Sequence, residues 1–411
     1  MPSVETKHTS SARWSSPVVP DPLIIGTVLS LKGLSAGDAR EMMMGARLAV
    51  REINALGGVL GRPLELREVE CDVGRTESIV SAVNSLIDAE VDAVASSYSA
   101  GEFEVQDLVA KYGAPYIHSS ALEASSVRVR NEPDRLSNIF QLSPGDTNYG
   151  PRFIDFLGQL EESGQWKPRS RRIVVIKHQW GGMDIGIQRV EQMAARRGFS
   201  IDVIDHLPLV NVDWQDVVRD ANSYDPCAIL LAFYFPEGGV SFLRQYLANP
   251  GNALIYKLYG PSVPAYLEEL GGAAEGILWS TTTGVLPDPR AQSFANRFRQ
   301  FYHRSAGLSQ VGLAYDRVYL LAQAWQKAGR PRNFKAVNAA LRTRPYRGVN
   351  GMYFLDNAGQ CVSPSDPNSG DPTVSHPHMV FQIQSGEHKL LSPSSMLGVT
   401  TFRLPPWLQR T

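Results

Sequence analysis

Residues 21–72 read DPLIIGTVLSLKGLSAGDAREMMMGARLAVREINALGGVLGRPLELREVECD. Leu23–Leu29 is an apolar run of strand length, and a Gly- and Ser-rich loop follows at Ser30–Gly37. Arg40–Asn54 then carries Met43, Met44, Leu48, Val50 and Ile53 at roughly helical spacing, and Gly57-Gly58 stops it. Leu64–Glu70 is a second strand running into Cys71-Asp72. This order puts a small-residue loop at the carboxyl end of a strand and the mouth of a helix, where open α/β sheets bind ligands.

The rhythm repeats downstream. Thr76–Ala89 reads as a helix with Ile79, Val83, Leu86 and Ile87 on one face and Thr76 as its N-cap. Val91–Ala95 is a strand, Ser96–Gly101 a polar loop and Glu102–Tyr112 a helix, and the strand Pro115–Ile117 leads into His118-Ser119-Ser120. Successive strand–loop–helix units predict an α/β fold whose parallel sheet is covered by helices on both faces. A charged break at Arg128–Arg135 and a strand at Asn138–Leu142 precede a second series. Its strands are expected at Arg172–Ile176, Ile201–His206, Ala228–Phe233 and Leu254–Leu258, and its helices at Asp184–Arg197 and Trp214–Ala221. Gly276–Ser280 is expected to return the chain to the first domain. The long helices Pro289–Ser305 and Val311–Ala328 follow, then a late strand pair at Gly351–Leu355 and His378–Gln384.

A chain of 411 residues suits two domains of ordinary size, and 43% hydrophobic content supplies their cores. Forty basic against forty-one acidic residues give a net charge of -1, which steers the protein toward neither nucleic acid nor an anionic membrane. No stretch has the length and apolarity of a membrane helix. Cys71, Cys227 and Cys361 are too few and too scattered for a disulfide scaffold or a metal cluster. Met1–Pro20 has no apolar core of a secretory signal, so it reads as a disordered leader. Either the protein is cytoplasmic, or its signal has been removed or lies upstream.

Gly33-Leu34-Ser35-Ala36-Gly37 matches the GxSxG nucleophile elbow, but Ser35 lies well past the strand end at Leu29. His118 and His178 have no acidic residue placed to orient them, so no catalytic residue is assigned. His376-Pro377-His378 lacks companions for a metal sphere, and no phosphate loop is present, so neither metal nor cofactor is expected. The loops Ser97–Gly101 and His118–Ser120 end strands of the same expected sheet and offer hydroxyls and helix-start amides to a small polar group. The matching loops of the second domain are aromatic, with Trp180, Tyr234 and Tyr259, and Tyr149 lies just past the crossover. One polar and one aromatic wall describe a small-molecule cleft, with Asp184 and Glu237 as partners for a cationic ligand group or as helix caps.

The chain resembles the type I solute-binding proteins, which include leucine/isoleucine/valine binders and amide and urea binders. The resemblance rests on Ile25-Gly26, the Lys32-Gly33 loop, and Gly45–Asn54 running into Gly57-Gly58-Val59-Leu60-Gly61-Arg62-Pro63. Asp72, Ser97–Ala100, Ala114–Ile117, Phe140, Glu275-Gly276, Tyr315–Leu321 and Gly348–Gly351 follow in order. It implies a two-lobed type I periplasmic-binding-protein fold, each lobe a mostly parallel sheet flanked by helices, joined by three crossovers. The expected division is a leader at 1–20, one lobe from 21–140 with 276–370, and the other from 141–275 with 371–411.

It further implies ligand capture by hinge closure without bond breaking, and delivery to the membrane subunits of an ABC importer. The alternatives are a cytoplasmic amide-type sensor that controls a regulatory protein, or a serine hydrolase resting only on Ser35. Carried onto this chain, the ligand loops contribute Ser99, Ala100, Ser119, Ser120 and Ala121, with Tyr149, Trp180, Asp184, Tyr234 and Ser262 opposite. Amino-acid binders of the family commonly hold the ligand ammonium with an acidic residue after the Gly-Pro-like turn, and here that place is Ser262. An amide, a urea-like compound or an organic acid therefore stands beside an amino acid as the expected ligand. Extracytoplasmic placement follows the family, and cytoplasmic placement follows the missing signal.

Overall fold

The computed structural model describes residues 20–33, 35–98, 101–179, 183–364, 371 and 374–409. The chain runs through β1 (Leu23–Leu29), α1 (Ala36–Ala55), β2 (Leu64–Glu70), α2 (Thr76–Asp88), β3 (Ala93–Ser96) and α3 (Glu102–Tyr112). Next come β4 (Tyr116–His118), α4 (Glu123–Asn131) and β5 (Ile139–Gln141). β1 pairs in parallel with both β2 and β3, and the sheet order is β2-β1-β3-β4-β5. β3 and β4 are fully buried, as expected of parallel strands covered on both faces. Among the described residues, Arg75 rather than Thr76 occupies the N-cap position of α2, and no side chain caps it.

The second series comprises α5 (Tyr149–Glu162), β6 (Arg172–His178), α6 (Ile187–Arg196), β7 (Ser200–Leu207), α7 (Trp214–Ser223) and β8 (Ala228–Leu231). It continues through α8 (Pro236–Ala248), β9 (Leu254–Leu258), α9 (Pro264–Leu270) and β10 (Leu278–Thr281). The rest of the chain forms α10 (Pro289–Tyr302), α11 (Gln310–Ala328), α12 (Phe334–Thr343), β11 (Tyr346–Arg347), β12 (Met352–Tyr353), β13 (Met379–Gln384) and β14 (Glu387–Ser392). The second sheet has the order β14-β13-β10-β9-β8-β6-β7, antiparallel only at β13 with its two neighbours.

Two sequence expectations need correction here. The strand near Gly276 does not return the chain to the first lobe. β10 pairs in parallel with β9 and antiparallel with β13, with Leu278 packed on one face of the second sheet and Trp279 on the other. Trp279 stacks on Phe381 of β13 at 4.5 Å, which anchors β10 there. The chain therefore leaves the second sheet only after Thr281, and α10–α12 pack against the first. Likewise Gly351–Leu355 does not pair with His378–Gln384: β12 pairs with β11, and β13 forms a hairpin with β14. Periodicity identifies a strand, but only packing on its two faces decides which sheet takes it.

Three stretches of chain pass between the sheets: beyond β5, beyond β10, and between Cys361, which bridges in parallel to Gln141, and β13. In the first lobe α1 lies against α11 with Ala39, Met42, Leu48, Ala49 and Ile53 buried. Gly45 sits at the closest point, where a Cβ would come within 2.0 Å of the Val311 carbonyl oxygen. Backbone blocks that approach, so the helix pair has to separate to admit even one methyl group. Gly45→Ala is expected to destabilise the protein by about 1–3 kcal/mol, the usual cost of overpacking a fitted core. A urea titration that shows an unchanged midpoint would contradict this packing.

Candidate functional site

The carboxyl ends of the strands in both sheets supply loops to a cleft with about 540 Å³ of empty space, part of it open to solvent. Tyr98, Ser119, Ser120, Ala121, Leu122 and Gln310 form the first-lobe wall, and Tyr149, Met183, Tyr234 and Tyr259 form the second. Ser143 and Thr283 come from the first and second passages between the lobes. Such a space suits a small molecule.

Six of the residues expected from sequence meet here: Ser119, Ser120, Ala121, Tyr149, Tyr234 and Tyr259. Ser99, Ala100 and Trp180 lie outside the described residues. Asp184 is exposed and its carboxylate caps α6, accepting from the N–H groups of Gly186 at 2.8 Å and Ile187 at 3.3 Å. That Asx turn precedes a helix that starts three residues later than the sequence predicts, and Asp184 is not among the residues that line the cleft. Ser262 is buried beside a different groove, among Pro264, Leu267 and Leu308. Met183, Thr283 and Gln310 were not anticipated. Thr283 follows a strand end, the same signal that pointed to Ser119, but its strand had been assigned to the other lobe.

The polar wall is held by its neighbours. Ser119 donates to Gln310 Oε1 at 2.8 Å and accepts from Arg317 Nη2 at 3.3 Å, while its carbonyl accepts from the Ser143 hydroxyl at 2.8 Å. Arg317 is buried on α11, and burial brings its guanidinium down to about 10, still cationic at neutral pH. Among the described residues no carboxylate lies within ion-pair distance of it, and its Nε has no hydrogen-bond partner. Behind the same loop, Tyr116 donates to Glu102 at 3.2 Å and bonds Ser96 at 2.6 Å, with His118 Nε2 3.7 Å from Glu102. Burial pushes Glu102 up to about 8 and His118 down to about 3, so both are mainly neutral at pH 7.

The aromatic wall is a chain of edge-to-face rings, with Tyr234 6.0 Å from Tyr149 and 6.1 Å from Tyr259. The Tyr234 hydroxyl is buried without a partner among the described residues. Tyr98 and Tyr259 both donate to Asp38 of α1, at 2.7 and 2.5 Å. At the first passage Asp146 accepts at 3.0 Å from the N–H of Glu123 in the first lobe and at 3.0 Å from the N–H of Asp184 in the second. None of the described lining residues carries a carboxylate, and neither do Ser99, Ala100, Trp180, Gly181 or Gly182 by their chemistry.

Ser35 shows none of the features of an elbow. It is buried at the N-cap position of α1, with φ -104° and ψ 5°, and the strand before it ended at Leu29.

Residues 22–384 match the family model described as periplasmic binding protein. The Leu/Ile/Val-binding protein homolog 3 of Brucella melitensis is 22% identical over 347 residues, 84% of this chain and 89% of that protein. A solved structure from Silicibacter pomeroyi, provisionally named for branched-chain amino acid ABC transport, is 26% identical. It superposes with a TM-score of 0.82 over 94% of this chain and all of that one (100%). An R. palustris solute-binding protein solved with benzoate shares the fold at a TM-score of 0.73 and 16% identity, over 90% of this chain and 96% of that one. The chain belongs to the periplasmic binding protein family. It is a solute-binding protein and not an enzyme, which removes the hydrolase alternative, and its family places it outside the cytoplasm. No helix among the described residues is long and apolar enough to cross a membrane.

The buried Glu102 gives a pH prediction with a definite sign. Its carboxyl is raised above the ordinary value in the folded chain, so its contribution to stability is present at acid pH and is lost as pH rises toward about 8. Glu102→Gln, uncharged throughout, is expected to match the parent near pH 5 and to exceed it near pH 8 by on the order of a few kcal/mol. Denaturant melts at the two pH values measure this, and parallel pH profiles for parent and variant would refute it.

Proposed function

We propose that this periplasmic binding protein captures a small organic acid, a monocarboxylate with an aromatic or branched aliphatic body, and hands it to the membrane subunits of an ABC importer. The observation that carries the proposal is Arg317, a buried guanidinium without a carboxylate partner among the described residues, separated from the cleft by the Ser119 hydroxyl. An isolated buried charge is costly, and an anion in the cleft supplies the missing counter-charge. The apolar body fits against Tyr149, Tyr234, Tyr259, Met183 and Leu122. A ligand ammonium finds no carboxylate in the lining, so a free amino acid has to leave its own cation with hydroxyl partners alone.

The R. palustris protein, which shares the fold, was solved in complex with benzoate, and an acid of this kind agrees with the reading. The names of the Brucella and Silicibacter proteins favour a branched-chain amino acid instead. A branched-chain amino acid differs from the corresponding branched acid only in its ammonium group, and the lining residues favour the acid. Handing over to an importer agrees with the family and with a cleft whose two walls belong to different lobes, since closure makes occupancy readable from outside.

A thermal-shift screen tests the choice. Benzoate, phenylacetate and isovalerate are expected to raise the transition, by about 2.7 kcal/mol of linkage at a hundredfold excess over Kd, and leucine much less. Arg317→Met should weaken benzoate binding by about tenfold or more while leaving the ligand-free protein as stable or more so, because an uncompensated charge has been removed. A leucine shift larger than every acid's, or full benzoate affinity in the variant, overturns the proposal.

A further inference from the structure

The start of α1 makes a contact that ligand recognition does not require. Asp38 belongs to the first lobe and is 4% exposed. Its Oδ2 accepts from Tyr98 of its own lobe and its Oδ1 from Tyr259 of the other, and both tyrosines line the cleft. Tyr259 holds φ at 48° and ψ at -53°, a positive-φ backbone conformation that is an outlier for a bulky residue. Its N–H is fixed to the Ser280 carbonyl at 2.8 Å, so the strained backbone is held in place beside β10. Two further contacts bring the lobes together here. Tyr98 meets Phe235 edge-on at 6.0 Å, and a Cβ on Gly37 would come within 2.9 Å of Val263.

We propose that Asp38 is the latch of the closed cleft, joining the lobes through Tyr259, and that closing takes up a proton from solvent at its carboxyl. When the lobes part, Asp38 loses its second-lobe partner and gains water, so its carboxyl behaves as an ordinary exposed one. In the closed form burial raises it to about 6, against the lowering effect of the two tyrosine hydrogen bonds. The charged groups around it act in the same direction or are already occupied. Glu41, further along α1, and Glu237 at the start of α8 carry like charge toward it. Glu41 is paired with Arg304 at 2.9 Å, and Lys257 faces Glu237. A protonated Asp38 keeps both contacts by reversing one of them, its O–H donating to a tyrosine oxygen. Closure and protonation therefore favour one another.

Small-angle scattering of the ligand-free full-length chain tests the latch without reference to any ligand, so its outcome is separate from that of the acid screen. The ratio of closed to open protein is expected to rise by about tenfold between about pH 7 and about pH 5, read as a fall in radius of gyration. Asp38→Asn, neutral at every pH, should show no such fall. Tyr259→Phe keeps the carboxyl but removes the cross-lobe donor, and should stay more open than the parent at the acid end. The proposal is overturned if the parent's radius does not change over this range. It is equally overturned if Asp38→Asn shows the parent's full change, or if Tyr259→Phe closes as the parent does.

Discussion

Parallel pairing is the constraint from which the cleft follows. Once β1 lies parallel to both β2 and β3, every strand of the first sheet ends at the same edge, and the helix that follows must begin there. The second sheet repeats the rule from β6 to β10. Two such edges brought together by three passages of chain make a space lined by strand ends and helix starts, where backbone donors and short polar side chains are concentrated. Buried polar groups need partners, and at Asp146 the two partners come from different lobes. The hinge is thus tied by hydrogen bonds as well as by covalent chain.

Beside that space two buried charges sit one hydroxyl away from the cleft. Arg317 lies behind Ser119, and Asp38 lies behind Tyr98 and Tyr259. Burial works against both, but not equally. Arginine starts so high that a fall to about 10 leaves it cationic at neutral pH. Aspartate starts low, and the same effect brings it to about 6, within reach of a proton. The first-turn position on α1 and the two tyrosine donors favour the anion, yet burial outweighs the hydrogen bonds. At neutral pH the guanidinium therefore stays charged, while the carboxyl is within reach of a proton.

Much of the fold was legible in sequence because apolar runs, helical spacing and glycine stops are local signals. β1 and β2 have the limits expected from residues 21–72, whereas α1 begins a turn earlier, at Ala36 rather than Arg40, inside the stretch read as loop. The misplaced strand shows where locality ends: Leu278 and Trp279 look like any buried strand, and only the stacking of Trp279 on Phe381, about a hundred residues on, assigns them to the second sheet. Ser119, Ser120, Tyr149 and Tyr234 were visible because each follows a strand end or a passage. Asp184 looked equally suitable, but a free carboxylate beside a helix start is taken by that start, and sequence spacing does not show which way it will turn. Arg317 falls within the Tyr315–Leu321 landmark but has no role assigned from sequence, and Asp38 is not singled out. Each acts through another side chain, so neither carries a motif of its own.

The GxSxG stretch that first suggested a nucleophile has a different physical explanation. Its last glycine brings the beginning of α1 against Val263, leaving no space there for a side chain. Ser35 merely ends the loop, and Asp38 enters the helix one residue after that glycine. A Cβ at position 37 would crowd the Val263 side chain at 2.9 Å, next to where Asp38 and Tyr259 meet at hydrogen-bond distance. The tyrosine meets a matching demand, because a strained φ of 48° is retained only where surrounding structure overrides the backbone's preference. A missing side chain on one lobe and a forced backbone on the other serve the same contact. That pairing ties the opening stretch of the sequence to the movement of the cleft rather than to any chemistry within it.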